Sequence, residues 1–133
     1  MVTKSDIHFT QIDRRTRINS ANLVTAILDQ IVHSFHPRKV ILFGSQARGQ
    51  AGEGSDIDLL VVLDSHHPLA SLKRRDREGK LLDLFRYRSF GLDAFVLTEA
   101  EVQELQATNE GEWDLVLEIL EEGKVLHDCA TEA

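Results

Sequence analysis

The apolar positions of the chain change period along its length, and each period predicts a type of element. From Ser20 onward, Val24, Ile27, Leu28, Ile31, Val32 and Phe35 recur at steps of three and four residues, which places them on one face of a helix. Asn19 or Ser20 supplies a start cap, and Pro37 disfavours helical geometry at His36, so the helix stops there. Val40-Ile41-Leu42-Phe43, between a basic pair and Gly44, reads as a buried strand. Ile57 to Leu63 is apolar except for Asp58 and reads as a second strand. Leu69 to Arg88 predicts a helix with Leu72, Leu81, Leu82, Leu84 and Phe85 available for burial, and Ala94 to Leu97 a third strand after Gly91. Thr98 and Glu101 fit a capping box at the next helix start. Trp113, Leu115, Val116, Ile119 and Leu120 form an amphipathic helix that stops near Gly123, and Val125-Leu126 adds a short edge strand. The order predicts a small α/β sandwich, a mixed sheet of three to four strands packed against helices.

A length of 133 residues with 42% apolar content and two prolines suits one globular domain. Residues 1–17 show little periodicity and read as an N-terminal arm, residues 18–128 as the domain and residues 129–133 as a tail. Gly44 to Gly54 holds four of the eight glycines and no apolar period, so it reads as a loop with at most one helical turn. The formal net charge of −7 argues against a broad basic surface for nucleic acid. Cys129 is the single cysteine, so no disulfide forms within the chain. The N-terminal residues lack a signal-peptide apolar core and no apolar run reaches bilayer length, which predicts a cytoplasmic protein without a membrane anchor.

The chemistry concentrates around the second strand. Alternation sends Ile57, Leu59, Val61 and Leu63 to one face and Asp56, Asp58, Leu60 and Val62 to the other. Two carboxylates therefore stand on one face about 6.6 Å apart at their Cα atoms. Like charges in a partly dry site are unfavourable unless neutralised, and a hard divalent cation such as Mg²⁺ prefers carboxylate and phosphate oxygens. Asp93, at the start of the third strand, is placed to complete the cluster; three carboxylates can hold two ions that clamp an in-line phosphoryl displacement. Gly44-Ser45 follows the first strand, where a glycine lets the backbone approach a phosphate and the next amides and hydroxyl donate to it. Arg48 is a candidate phosphate cation or a partner for an acidic neighbour.

These residues resemble a known family. Gly44-Ser45, ten residues, then Asp56-Ile57-Asp58 is similar to the signature of the DNA polymerase β-like nucleotidyltransferase superfamily. The strings from Leu42 to Gly49 and from Gly54 to Val61, with Leu92 to Thr98 and Gly123 to Leu126, resemble its minimal nucleotidyltransferase branch. The resemblance runs from about Val40 to His127 and implies a small nucleotidyltransferase fold. It implies that Gly44 and Ser45 bind the triphosphate, that Asp56 and Asp58 hold metal, and that Asp93 completes the metal site or assists deprotonation of the acceptor. Members of that branch are commonly paired with a helical HEPN protein, often an RNase toxin. The resemblance thus implies an antitoxin that uses ATP and Mg²⁺, two ions in all, to place AMP on a toxin tyrosine. The contrasting expectations are a module that neutralises its partner by contact, and transfer to a small molecule such as an aminoglycoside.

Other conspicuous residues read more plainly. The six histidines show no metal-ligand spacing and are assigned to loops and surface, and Trp113 to core or an interface. Lys73, Arg74, Arg75, Arg77, Lys80, Arg86 and Arg88 crowd one helical region, whereas the residues after Asp93 include eleven acids and a single base, Lys124. These are solvated helix faces, or else surfaces of opposite sign: an acidic part that docks a basic partner and a basic helix that borders the nucleotide or an acidic surface.

Overall fold

In the computed structural model the described residues are 20–44, 47, 56–86, 90–109 and 113–129. Helix α1 (Ser20–Phe35) leads into strand β1 (Lys39–Phe43), and β2 (Ile57–Leu63) follows. A 3₁₀ turn (Pro68–Ser71) precedes α2 (Arg74–Asp83) and β3 (Leu92–Thr98). Helices α3 (Glu99–Thr108) and α4 (Trp113–Glu122) come next, and β4 (Lys124–Asp128) closes the order. The sheet runs β3-β2-β1-β4, with β1 antiparallel to both β2 and β4 and β2 parallel to β3. This is the mixed α/β sheet that the apolar pattern predicts. The proposed arm at residues 1–17 lies outside the described residues, as do tail residues 130–133.

Strand β2 explains the layering. Its near-continuous apolar run suits a strand covered on both faces. Ile57, Leu59, Val61 and Leu63 join Val24, Ile27, Ile31 and Phe35 of α1, with Leu81 and Phe85, in one core. Leu60 and Val62 join Ile41, Leu97 and the α4 residues Trp113, Val116 and Ile119 in a second core on the opposite face. Trp113 is thus a core residue, 8% exposed. The first helix ends where the proline predicts: His36 takes φ +49°, its N–H donates to the Val32 carbonyl at 3.0 Å, and Pro37 follows.

One expected element is divided. Leu69 to Arg88 is not a single helix, because Leu72 takes an extended conformation and α2 begins only at Arg74. The break turns the Leu72 carbonyl toward Arg77, and Arg77 supplies the reason. Although it sits in the basic cluster, Arg77 is buried at 1% exposure rather than solvated. Its Nε and Nη2 donate to the Leu72 carbonyl at 3.2 and 3.1 Å, and its Nη1 to the Val96 carbonyl at 2.8 Å. Nη1 and Nη2 also form a two-pronged pair with the Glu101 carboxylate at 2.8 and 2.6 Å. All five guanidinium N–H donors are therefore used. Glu101 in turn completes the expected capping box, its carboxylate accepting from the Thr98 N–H at 2.9 Å while the Thr98 hydroxyl accepts from the Glu101 N–H at 3.1 Å.

Because the Arg77 bonds hold Glu101 in its charged form, the Glu101 carboxyl titrates below its ordinary value of 4.5. A carboxyl whose folded value is depressed adds stability that is complete above its unfolded value and is lost as the pH falls through the folded one. Acid unfolding should therefore steepen below pH 4.5, and Glu101→Gln should remove that part of the pH dependence while leaving the curve near neutral pH parallel to the parent. Arg77→Ala should lower the unfolding free energy by about 1–3 kcal/mol in urea titration, because it leaves the buried Val96 carbonyl without its donor and removes the ion pair with Glu101. A loss within experimental error of zero would show that α2 and α3 hold β3 without it.

Candidate active site

The antiparallel β1 and parallel β3 flank β2 so that the C-terminal end of β1 and the N-terminal ends of β2 and β3 meet at one edge of the sheet. The register pairs Phe43 with Asp58, and Asp58 with Asp93. Register partners on neighbouring strands share a face about 4.8 Å apart. Asp58 and Asp93 are therefore neighbours, on the face that carries Leu60, Val62 and Leu97 farther along. Asp93 is the second residue of a strand that begins at Leu92, one turn of the pleat earlier than the apolar run indicates. Asp56 sits just before β2 at the level of Gly91, since the next residues, Ile57 and Leu92, are register partners. Asp56 and Asp93 are exposed and Asp58 is half-buried.

Two glycines shape this edge. Gly44 ends β1 with φ +76°, a conformation that L side chains rarely adopt, and its carbonyl accepts from the Ala47 N–H at 3.1 Å to turn the chain. A Cβ on Gly44 would fall on the Asp58 carboxylate, so backbone and carboxylate are packed directly together. Gly91 does the equivalent for Asp56: a Cβ there would fall on the Asp56 carboxylate, and the Gly91 carbonyl accepts from the Ile57 N–H at 2.9 Å. Each carboxylate of the Asp-x-Asp pair thus rests against bare backbone from a different neighbouring strand. Ser45 and Arg48 lie outside the described residues.

Behind the carboxylates the face becomes aromatic. Phe43 and Phe95 stack across β2 with ring centroids 6.0 Å apart and planes 8° from parallel. The Arg74 guanidinium lies over Phe95, 4.9 Å from its centroid, and its Nε donates to Glu78 at 2.8 Å. Arg74 therefore borders the acidic face, as a cation held by a ring and a carboxylate. Among the described residues, no three acidic, histidine or cysteine side chains are gathered around one cation-sized point. The backbone brings Asp56, Asp58 and Asp93 to one edge, while Asp56 and Asp58 are each turned to a glycine. Carboxylate oxygens are nonetheless the donor type that hard divalent cations select, and two aspartates in direct register repel unless a counter-charge joins them.

A separate groove of about 290 Å³ opens at the other end of the sheet, lined by Arg38, Val62, Glu99, Val102 and Leu120 among others. Its charges are matched internally, Arg38 with Glu99 at 3.5 Å and Lys39 with Asp128 at 3.7 Å, and it holds none of the three aspartates. His67 is a structural group: it bonds the Phe35 carbonyl at 2.7 Å through Nε2 and accepts from the Leu69 N–H at 3.0 Å through Nδ1. No helix among the described residues is long and apolar enough to cross a membrane. In the sequence Gly91 marks only the residue after which the third strand follows; its contact with Asp56 joins residues 35 positions apart and leaves no local trace.

Residues 24–130 match the family model for the nucleotidyltransferase domain. Among solved structures, the chain is similar to a candidate nucleotidyltransferase from Sulfolobus solfataricus, with 26% identity and a TM-score of 0.48. That similarity covers 77% of this chain and 81% of the other. No curated protein matches the chain.

Gly44→Ala should lower the unfolding free energy by about 1–2 kcal/mol from the left-handed backbone alone. It should also displace the Asp58 carboxylate from its place against the turn. A variant as stable as the parent in urea titration would show that the turn relaxes to a conformation open to alanine.

Proposed function

From the premise that this chain belongs to the nucleotidyltransferase domain family, we propose that it transfers AMP from ATP to a hydroxyl, with Mg²⁺, and that the hydroxyl belongs to a tyrosine of a helical HEPN-type toxin. The family supports nucleotidyl transfer in general. The observation that carries the reading at this site is the register row in which Asp58 lies beside Asp93 and next to the turn at Gly44.

Asp56, Asp58 and Asp93 would hold the divalent cations. Bound there, the ions would offset the charge of the triphosphate and of the carboxylates themselves. The chain's own groups divide the remaining work by strand. The turn after β1, with Gly44, lets the backbone approach the β- and γ-phosphates, so the pyrophosphate end of ATP lies on the β1 side. In-line displacement then brings the acceptor from the opposite side, which is the β3 side. Asp93 is the carboxylate on that side and accepts the proton of the attacking hydroxyl. The acceptor oxygen bonds to the α-phosphorus as the bond to the bridging oxygen of pyrophosphate breaks, and pyrophosphate leaves. Such catalysis rests on positioning and charge neutralisation, so one small domain suffices for it. The acceptor identity rests on the resemblance to the minimal branch alone.

The test is ATP radiolabelled at the α-phosphate and Mg²⁺ with the full chain and a candidate helical HEPN-type protein. Label should pass to the partner, map to a tyrosine, and fall at least about 100-fold with Asp58→Asn. Partner neutralisation that persists in the Asp56→Asn, Asp58→Asn double variant without any label would replace transfer by contact. Label from ATP that appears on an aminoglycoside and never on protein would replace the acceptor.

A further inference from the structure

The Asp56 carboxylate occupies the volume that a side chain at position 91 would fill, and the Ile57 N–H bond to the Gly91 carbonyl, 2.9 Å long, clamps the two backbones at that level. Asp56 is exposed and precedes the strand, so its own local structure leaves the side chain free to choose among rotamers. The rotamer it adopts is open only because position 91 carries no side chain, since a Cβ there would fall on the carboxylate oxygen. We infer that Gly91 is a positioning residue for Asp56, and that the missing side chain at position 91 is what sets the place from which Asp56 ligates a divalent cation. The inference rests on the metal reading proposed above.

The two glycines at this edge differ in a way that makes the role separable. Gly44 has φ +76°, so any substitution there strains the backbone as well as the site. Gly91 lies outside the left-handed region, and the atoms that a Cβ would meet belong to the Asp56 side chain: the carboxylate oxygen, Cγ and Cβ. An alanine at position 91 therefore perturbs Asp56 and has no backbone penalty of its own. The effect passes through one carboxylate to the cation, in the way that groups supporting metal ligands act.

Mn²⁺ binding to the full chain, followed by paramagnetic resonance of the free ion, tests this directly and needs no acceptor. Gly91→Ala should weaken Mn²⁺ binding about 10–100-fold and raise the Mg²⁺ concentration for half-maximal transfer in step. Gly79→Ala, whose new Cβ meets open space on α2, should bind as the parent does. In an Asp56→Ala background the carboxylate is gone, so Gly91→Ala should change neither Mn²⁺ binding nor thermal unfolding further. If Gly91→Ala fails to fold, the Asp56→Ala, Gly91→Ala pair should restore folding, and failure to do so overturns the inference. Equal Mn²⁺ affinity in the parent and a folded Gly91→Ala overturns it while leaving the proposed transferase intact. A parent that binds no Mn²⁺ and transfers no label overturns both.

Discussion

A guanidinium cannot escape burial by losing its proton, so the 1%-exposed Arg77 forces its surroundings to provide for it. Each acceptor it requires belongs to a different part of the chain. The Leu72 carbonyl demands a break before α2, the Val96 carbonyl demands that α2 lie along the open edge of β3, and the Glu101 carboxylate demands that α3 start where β3 ends. Arg77 thus fixes the order of three elements with one side chain. The Val96 N–H is met from the same helix, by Glu78 at 3.1 Å, so both polar groups that this residue turns away from the sheet are satisfied. An edge strand otherwise presents such groups to any passing strand.

Holding β3 in this way has a consequence at its other end. With β3 seated against β2, the parallel register sets Asp93 beside Asp58, and the same register puts Gly91 beneath Asp56. The molecule therefore separates its electrostatic work. Toward the C-terminal end of β3, Arg77 pairs with Glu101 and Arg74 with Glu78, and the same groups bond the Val96 backbone and hold elements together. At the N-terminal end carboxylates are collected against glycine backbone, an arrangement that is poor for stability and useful for binding a cation. The Phe43 and Phe95 rings close off the apolar core between the two regions, with Arg74 laid over the outer ring.

Much of the candidate site is legible from spacing. Gly44-Ser45 and Asp56-Ile57-Asp58 stand at a family-like distance, and strand alternation puts both aspartates on one face. Asp93 is legible as a residue at a strand start. The partners of these groups are not. Nothing near Asp56 in the chain points to Gly91, and nothing in Arg74-Arg75-Asp76-Arg77 tells the buried arginine from its solvated neighbours. The helix expected over Leu69 to Arg88 fails at Leu72, whose carbonyl serves the nearby Arg77, and the burial of Arg77 is set in turn by the distant Val96 and Glu101.

By itself, the sequence determined the period of each element, the end of the first helix at Pro37, the capping box at Thr98 and Glu101, and the strand from Ile57 to Leu63. These follow from local sterics, local hydrogen bonds and the apolar content of short windows. Only the tertiary structure decided that β2 runs parallel to β3 and antiparallel to β1, that Asp58 and Asp93 are neighbours, and that Arg77 is interior. Those facts depend on pairings between residues far apart in the chain. Such pairings are chosen by which distant groups satisfy buried charge and cover apolar faces together, and no short window of sequence contains both members.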